Sequence, residues 1–161
     1  MNFELLILDN DPIFEGSDLW QRINPAIVQF MDQGNPKPVI SETPRSKYPD
    51  APIWGAAYAG GWPVPTLLFT NGNDQVLLRL SGSAITTANV LAYMVFLANV
   101  SEENGRLEYQ GAPVQKTPSG ELKTPFGISP FGLWSLNGLA WPLIIAAFFL
   151  ILNTYDNGKK R

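Results

Sequence analysis

The first quarter of the chain alternates between short apolar runs and one longer segment of helical periodicity. The runs at residues 3–8 and 37–42 predict two short strands. Between them, Ser17 suits an N-cap and Gly34 suits a helix end, so this segment predicts a helix. Pro25 lies inside that helix and predicts a kink. Its apolar face repeats at helical spacing through Leu19, Ile23, Ile27 and Phe30.

The middle of the chain contains a hairpin pattern followed by a second helix. Residues 43–61 form an irregular connection, with a helical turn predicted near residues 53–58. Apolar runs at 65–70 and 75–80 flank Asn71-Gly72, which is a strong hairpin signal. Thr86 or Thr87 can cap a helix that runs to about residue 99. The predicted order is strand, kinked helix, strand, irregular segment, hairpin and helix, which is an α/β pattern.

The pattern changes after residue 100, where apolar periodicity fades. Residues 101–132 contain four prolines and five glycines, a composition that predicts an extended linker. Phe126, Ile128 and Phe131 are apolar side chains within this linker, and they predict packing against partner proteins. We therefore expect a domain over residues 1–100 and a linker over residues 101–132.

A long apolar segment follows the predicted linker. No charged residue occurs between residues 124 and 155, and only Ser135 and Asn137 are polar between residues 133 and 152. Twenty helical residues span about 30 Å, the thickness of the hydrocarbon core of a bilayer. The pattern predicts a single transmembrane helix over residues 133–153, with a buried helix of the domain as the alternative.

The orientation of this predicted helix stays open. The basic tail at residues 154–161 ends in Lys159, Lys160 and Arg161, which favours a cytoplasmic C-terminus and an N-terminal domain outside. The first residues have no basic region and no cleavage site, so they do not resemble a signal peptide. Without a signal peptide, a tail-anchored topology would keep the domain in the cytoplasm. The predicted localisation is a membrane, with a single span and with the side of the domain undetermined.

The amino-acid composition excludes several kinds of chemistry for this chain. The 161 residues contain no cysteine and no histidine, which excludes disulfides, thiol redox chemistry, zinc fingers and catalysis that uses histidine. The formal charge of −3 gives no electrostatic footprint for nucleic acid. No glycine-rich phosphate loop matches a nucleotide fingerprint. No cofactor, metal or nucleic-acid partner is expected.

The order of elements and two motifs resemble the thioredoxin-like superfamily over roughly residues 1–100. Val64-Pro65-Thr66, directly before a strand and the Asn71-Gly72 turn, is similar to the cis-proline loop of that family. Pro25 is similar to the kink proline of the active-site helix. At the two positions where the family places its active-site cysteines, this chain has Ser17 and Trp20.

The resemblance implies a three-layer α/β domain that has lost its redox chemistry. Thiol–disulfide exchange needs a thiolate, and a serine hydroxyl does not replace it at neutral pH. The family binds extended peptides beside the cis-proline loop, and here Trp20, Trp62 and Val64 would line that surface. An alternative places these tryptophans in the core.

A rival resemblance points to an enzyme. Residues 5–11 (LLILDND) are similar to the nucleophile motif of haloacid-dehalogenase-type phosphatases, and residues 66–72 to their second motif. Asp9 would be the nucleophile, Asp11 the acid/base and Thr70 the phosphate ligand, with Mg²⁺ between the carboxylates. Pro12 departs from the family, which usually has Gly-Thr at this point.

The reading favoured by the sequence is a non-enzymatic, single-pass membrane protein. We expect an accessory or structural subunit of a membrane protein complex, with a redox-inactive thioredoxin-like domain as the interaction scaffold. The expected partners are other subunits and the lipid bilayer. The alternatives are a membrane-tethered peptide-binding or chaperone-like module and a Mg²⁺-dependent phosphatase. The predicted protein-binding residues are Ser17, Trp20, Trp62, Val64, Pro65, Phe126 and Phe131.

Overall fold

A computed structural model describes residues 1–72, 75–103 and 106–125. The α/β class predicted from the sequence is confirmed, with three helices and a mixed sheet. The elements are β1 (Glu4–Leu8), α1 (Asp18–Asp32), β2 (Val39–Glu42), α2 (Pro52–Ala59), β3 (Thr66–Thr70), β4 (Val76–Ser81), a 3₁₀ turn (Gly82–Ala84), α3 (Thr87–Ala98), β5 (Val100–Glu103), β6 (Arg106–Tyr109) and β7 (Ala112–Pro113).

The main sheet has four strands in the order β2-β1-β3-β4. Strands β1 and β2 are parallel, because α1 carries the chain back to the starting end of the sheet. The other pairs are antiparallel, and β3 and β4 form a hairpin. In this hairpin the side-chain oxygen of Asn71 accepts a hydrogen bond from the N–H of Gln75 at 3.1 Å. The predicted hairpin is therefore confirmed.

Both faces of the sheet are covered by helices. Alternation sends Leu5 and Ile7 of β1 into the core beneath α1 and α3, while Leu8 enters a smaller cluster beneath α2. Strand β3 divides in the same way, with Leu67 and Phe69 on the first face and Leu68 on the second. Every residue of β3 is buried, as a central strand between two layers requires.

Local signals place the helix starts correctly. The Ser17 hydroxyl accepts a hydrogen bond from the Trp20 N–H at 3.3 Å and caps α1, which contains Pro25 as predicted. The Thr86 hydroxyl caps α3 by accepting from the Asn89 N–H at 3.2 Å. This leaves the Thr87 hydroxyl free to donate to the carbonyl of Arg22 at 2.9 Å, which ties α3 to α1.

The structure differs from the expected extended linker over residues 101–125. Strands β5, β6 and β7 form a small antiparallel sheet directly after α3. The chain then returns to the main sheet, where the Leu122 N–H donates to the Leu77 carbonyl at 2.7 Å. Two of its glycines lie at turns, since Gly111 and Gly120 have positive φ angles of 76° and 89°.

The returning segment is fastened by a largely buried ion pair. Nε of Arg79 in β4 lies 3.2 Å from Oε1 of Glu121, and the Arg79 side chain is only 9% exposed. Leu122 beside it is 4% exposed and belongs to the main core. The folded unit therefore continues well past residue 100, because this segment covers the outer strand β4.

The rest of the C-terminal prediction falls outside the described residues. This applies to residues 126–132 of the expected linker, to the predicted span at 133–153 and to the tail at 154–161. Within residues 1–72, 75–103 and 106–125, no helix is both long enough and apolar enough to cross a bilayer.

The burial of Leu122 predicts that residues 101–125 contribute to stability. Leu122→Ala removes a core side chain, and we expect it to lower the free energy of unfolding by about 2–4 kcal/mol. Lys116→Ala is the matched control, because its exposed side chain lies in the same segment; we expect a change below about 0.5 kcal/mol. Urea unfolding measures both values. Equal, small effects would show that this segment does not belong to the core.

The pKa of Tyr93 predicts an alkaline limit to stability. Burial raises the pKa of this phenol to about 12, an effect partly opposed by a hydrogen bond with Thr124. A folded-state pKa above the unfolded value of about 10 stabilises the fold fully below pH 10. This contribution, about 2–3 kcal/mol, is lost as the pH rises through 12. We expect the urea midpoint of Tyr93→Phe to fall less steeply above pH 10 than the midpoint of the unchanged protein. Equal slopes would contradict the raised pKa of Tyr93.

Candidate protein-binding site

The start of α1 is a structural cap rather than a reactive centre. The hydroxyl of Ser17 is engaged by the Trp20 N–H, and the Ser17 N–H donates to the Phe14 carbonyl at 2.9 Å. Asp18 in the first turn forms an ion pair with Arg22. The sequence has no histidine to activate the hydroxyl. Ser17 therefore organises the helix terminus and is not placed as a nucleophile.

Trp20 lines an open groove beside this terminus. The groove has a volume of about 490 Å³ and runs between the loop before α1 and strand β2. Phe14 on its wall is 69% exposed, an unusual position for a large aromatic side chain. Oε2 of Glu42 accepts a hydrogen bond from the Ile13 N–H at 3.0 Å and holds the loop against β2. The residues that line the groove are Ile13, Phe14, Glu15, Trp20, Ile40, Ser41 and Glu42.

Trp62 occupies a different environment. It packs against the cluster beneath α2, and the guanidinium carbon of Arg79 lies 4.8 Å from the centre of its ring. This distance is typical of a cation–π interaction. A Cβ atom on Gly60 would lie 2.2 Å from Nε1 of Trp62, so only glycine permits this placement of the indole. Trp62 is thus held between the backbone at Gly60 and the Arg79 side chain.

The loop before β3 is fixed from both sides while its apex stays open. The Val64–Pro65 peptide bond is cis, as the resemblance implies. The Thr66 hydroxyl donates to the Pro63 carbonyl, and the Gly82 N–H donates to the Pro65 carbonyl at 2.8 Å. Val64 is 37% exposed, and its backbone N–H and carbonyl have no hydrogen-bond partner among the described residues.

The residues expected to line one surface have different immediate surroundings in the described structure. Trp20 lies on the α1 side of the sheet, whereas Trp62 packs on the α2 side. Val64 and Pro65 lie on the loop before β3, and neither is among the residues that line the groove containing Trp20. Phe126 and Phe131 lie outside the described residues.

The phosphatase arrangement is not brought together either. Strands β1 and β3 are antiparallel, with Leu8 opposite Thr66 and Glu4 opposite Thr70. Asp9 therefore follows one end of the sheet while Thr70 lies at the other, about 17 Å away at the usual rise of a strand. No metal-binding group of three acidic side chains occurs among the described residues.

Sequence reasoning missed the walls of the groove. Ile13, Phe14 and Ile40 lie in it, although residues 9–16 read simply as an acidic loop. One signal was available, since Pro38 and Pro44 bracket β2 and prolines at such positions are typical of an edge strand. The groove beside that edge contains Trp20, one of the residues predicted from the sequence.

No protein-family model matches the chain, and comparisons with curated proteins and solved structures find no similar protein.

The contact between Gly60 and Trp62 predicts a sharp difference between two glycines. Gly60→Ala forces the indole away from Arg79, and we expect a loss of about 1–3 kcal/mol in the free energy of unfolding. Gly55→Ala is the control, because its Cβ would meet nothing within 4 Å inside α2; we expect a gain of about 0.5–1 kcal/mol. Urea unfolding compares the two, and effects of the same sign would contradict the packing described for Trp62.

Proposed function

We propose that this chain is a non-catalytic accessory or structural subunit of a membrane protein complex. Its folded domain is a thioredoxin-like scaffold without redox chemistry, and partner subunits assemble on its surface. A C-terminal transmembrane helix over residues 133–153 holds it at the bilayer.

Three structural features support the thioredoxin-like assignment. The sheet combines one parallel pair with an antiparallel hairpin in the order β2-β1-β3-β4. Pro25 lies inside the helix that follows β1, and a cis bond precedes Pro65 at the start of β3. These are the positions at which the family carries its kink proline and its cis-proline loop.

The observation that carries the non-catalytic role is the chemistry at the start of α1. A capping serine and a partly exposed tryptophan stand where the family has its cysteine pair. Thiol exchange has no thiolate to use, because the sequence contains no cysteine. The helix terminus instead borders an apolar groove with an exposed aromatic wall, which is a surface suited to protein contacts.

The membrane assignment rests on the sequence alone. The uncharged apolar stretch that ends near residue 152 has the length of a bilayer span, and a basic tail follows it. The proposal also assigns partner contacts to Phe126 and Phe131, which precede this stretch in the sequence.

A second candidate function is a membrane-tethered peptide-binding or chaperone-like module. The observation that favours it is the exposed Val64 loop, whose backbone groups are open among the described residues. An extended peptide could pair with these groups by hydrogen bonds. Such a module would bind free peptides through this loop, whereas a scaffold would retain whole subunits.

Co-purification tests the proposed function. The tagged full chain is extracted from its native membranes in a mild detergent, and we expect partner subunits to co-elute in a fixed ratio. Trp20→Ala should reduce their recovery at least about fivefold without shifting the urea midpoint, because Trp20 lines an open groove. Trp62→Ala should lower the midpoint instead, because it removes packing against Arg79.

Two outcomes would overturn this proposal. One is a chain that stays fully dispersed without detergent, which would remove the membrane assignment. The other is a chain that elutes alone in mild detergent. Loss of peptide affinity when the Val64 loop is altered, with no subunits retained, would favour the peptide-binding module.

A further inference from the structure

Strand β2 lies at the edge of the main sheet in the described structure. The hydrogen bonds of neighbouring residues show which of its backbone groups face β1 and which face away. Among the described residues its one strand partner is β1, with Leu5 opposite Ile40. The Thr43 N–H donates to the Ile7 carbonyl at 2.9 Å, so odd-numbered residues of this segment bond toward β1. The backbone N–H and carbonyl groups of Ile40 and Glu42 therefore point away from the sheet, and they have no partner among the described residues.

Two prolines limit this edge to a short segment. Pro38 and Pro44 occupy even-numbered positions, like Ile40 and Glu42, so their backbones also face away from the sheet. Because proline has no N–H, the outward-facing position at each end of this segment lacks a hydrogen-bond donor. Edge strands are commonly protected in this way against indiscriminate pairing. What remains is a window with two outward N–H donors, which suits one short extended segment and not a continuous sheet.

The groove beside Trp20 lies along this window. Ile40 and Glu42 line it on the α1 side, and Ser41 also contributes, so the groove reaches the strand edge itself. A strand that pairs with β2 points every second side chain to one face of the sheet. An apolar side chain of such a strand would enter the groove between Phe14, Trp20 and Ile40.

Charge defines the chemistry of the occupant. Glu15 and Glu42 lie in the groove, and within the described part of the chain no lysine or arginine lines it. Asp9 and Asp11 in the preceding loop add two further acidic groups. Lysine or arginine flanking an apolar residue would complement this rim, and such complementarity sets specificity and association rate more than affinity.

We infer that the β2 edge binds an extended segment of a partner protein as a fifth strand, with an apolar side chain in the groove and basic residues at its rim. This inference deepens the proposed function, on which it rests, by naming one contact surface. A second copy of this chain fits less well. Two-fold pairing of β2 strands would bring the acidic rims together and would place Pro38 of one copy opposite Pro44 of the other.

A designed peptide tests the inference directly. The probe is an acetylated, amidated heptapeptide, TKVKIKT, added to the full 161-residue chain in mild detergent. We expect saturable binding below about 1 mM, and hydrogen exchange at the Ile40 and Glu42 amides should slow at least about tenfold. The amides of Ser41 and Thr43 should change little, because they already face β1. The same peptide with alternate amides N-methylated should lose about tenfold or more in affinity.

Matched charge variants distinguish peptide binding at this edge from a general attraction between a basic peptide and an acidic protein. Glu15→Lys should weaken binding at least about fivefold at low salt. Asp32→Lys makes the same change in net charge at the far end of α1, and it should leave affinity within about twofold.

Three results would overturn the inference. They are no saturable binding to about 1 mM, binding without protection of Ile40 and Glu42, and concentration-dependent protection of these amides without peptide, which would assign the edge to a second copy. Subunits that co-elute equally with Glu15→Lys, together with a silent peptide, would reject this surface and leave the proposed function standing. A chain that binds the peptide but retains no subunits would support this binding surface and reject the proposed function.

Discussion

Burial of strands β1 and β3 on both faces is the constraint from which the rest of the structure follows. Each residue of β3 is buried, and β1 sends Leu5 and Leu8 to opposite sides of the sheet. A strand buried on two faces needs an apolar layer above and below it. Helices α1 and α3 provide one layer. The short helix α2, from a segment rich in small residues, provides the other with Trp54 and Ala57.

The two outer strands of the main sheet differ in whether another segment covers them. The segment that returns after β7 covers β4, through a hydrogen bond to Leu77 and the ion pair between Arg79 and Glu121. Strand β2 has no such cover among the described residues. It is shortened by flanking prolines and bordered by a groove with acidic and aromatic walls. An open, short and selective edge is typical of a recognition surface.

The start of α1 is closed by a side-chain cap and borders the groove beside β2. A helix N-terminus with a free thiolate would be reactive, since the helix dipole and the N–H groups stabilise the anion. Here the Ser17 hydroxyl accepts a hydrogen bond from one of these groups, the Trp20 N–H, and the Trp20 side chain lines the groove.

The sequence by itself determined the features that depend on neighbouring residues. These include the Ser17 cap, the helix that contains Pro25, the hairpin contact of Asn71 with Gln75 and the α/β order, because caps and turns form between groups a few residues apart. Tertiary structure decided what depends on distant pairing. Glu121 pairs with Arg79, which lies 42 positions earlier in the chain, and this contact holds a proline-rich segment against the main sheet. The antiparallel register of β1 and β3 set Asp9 apart from Thr70, and the strand order left β2 at an edge. Those outcomes depend on the sum of packing over the whole chain, which no local pattern encodes.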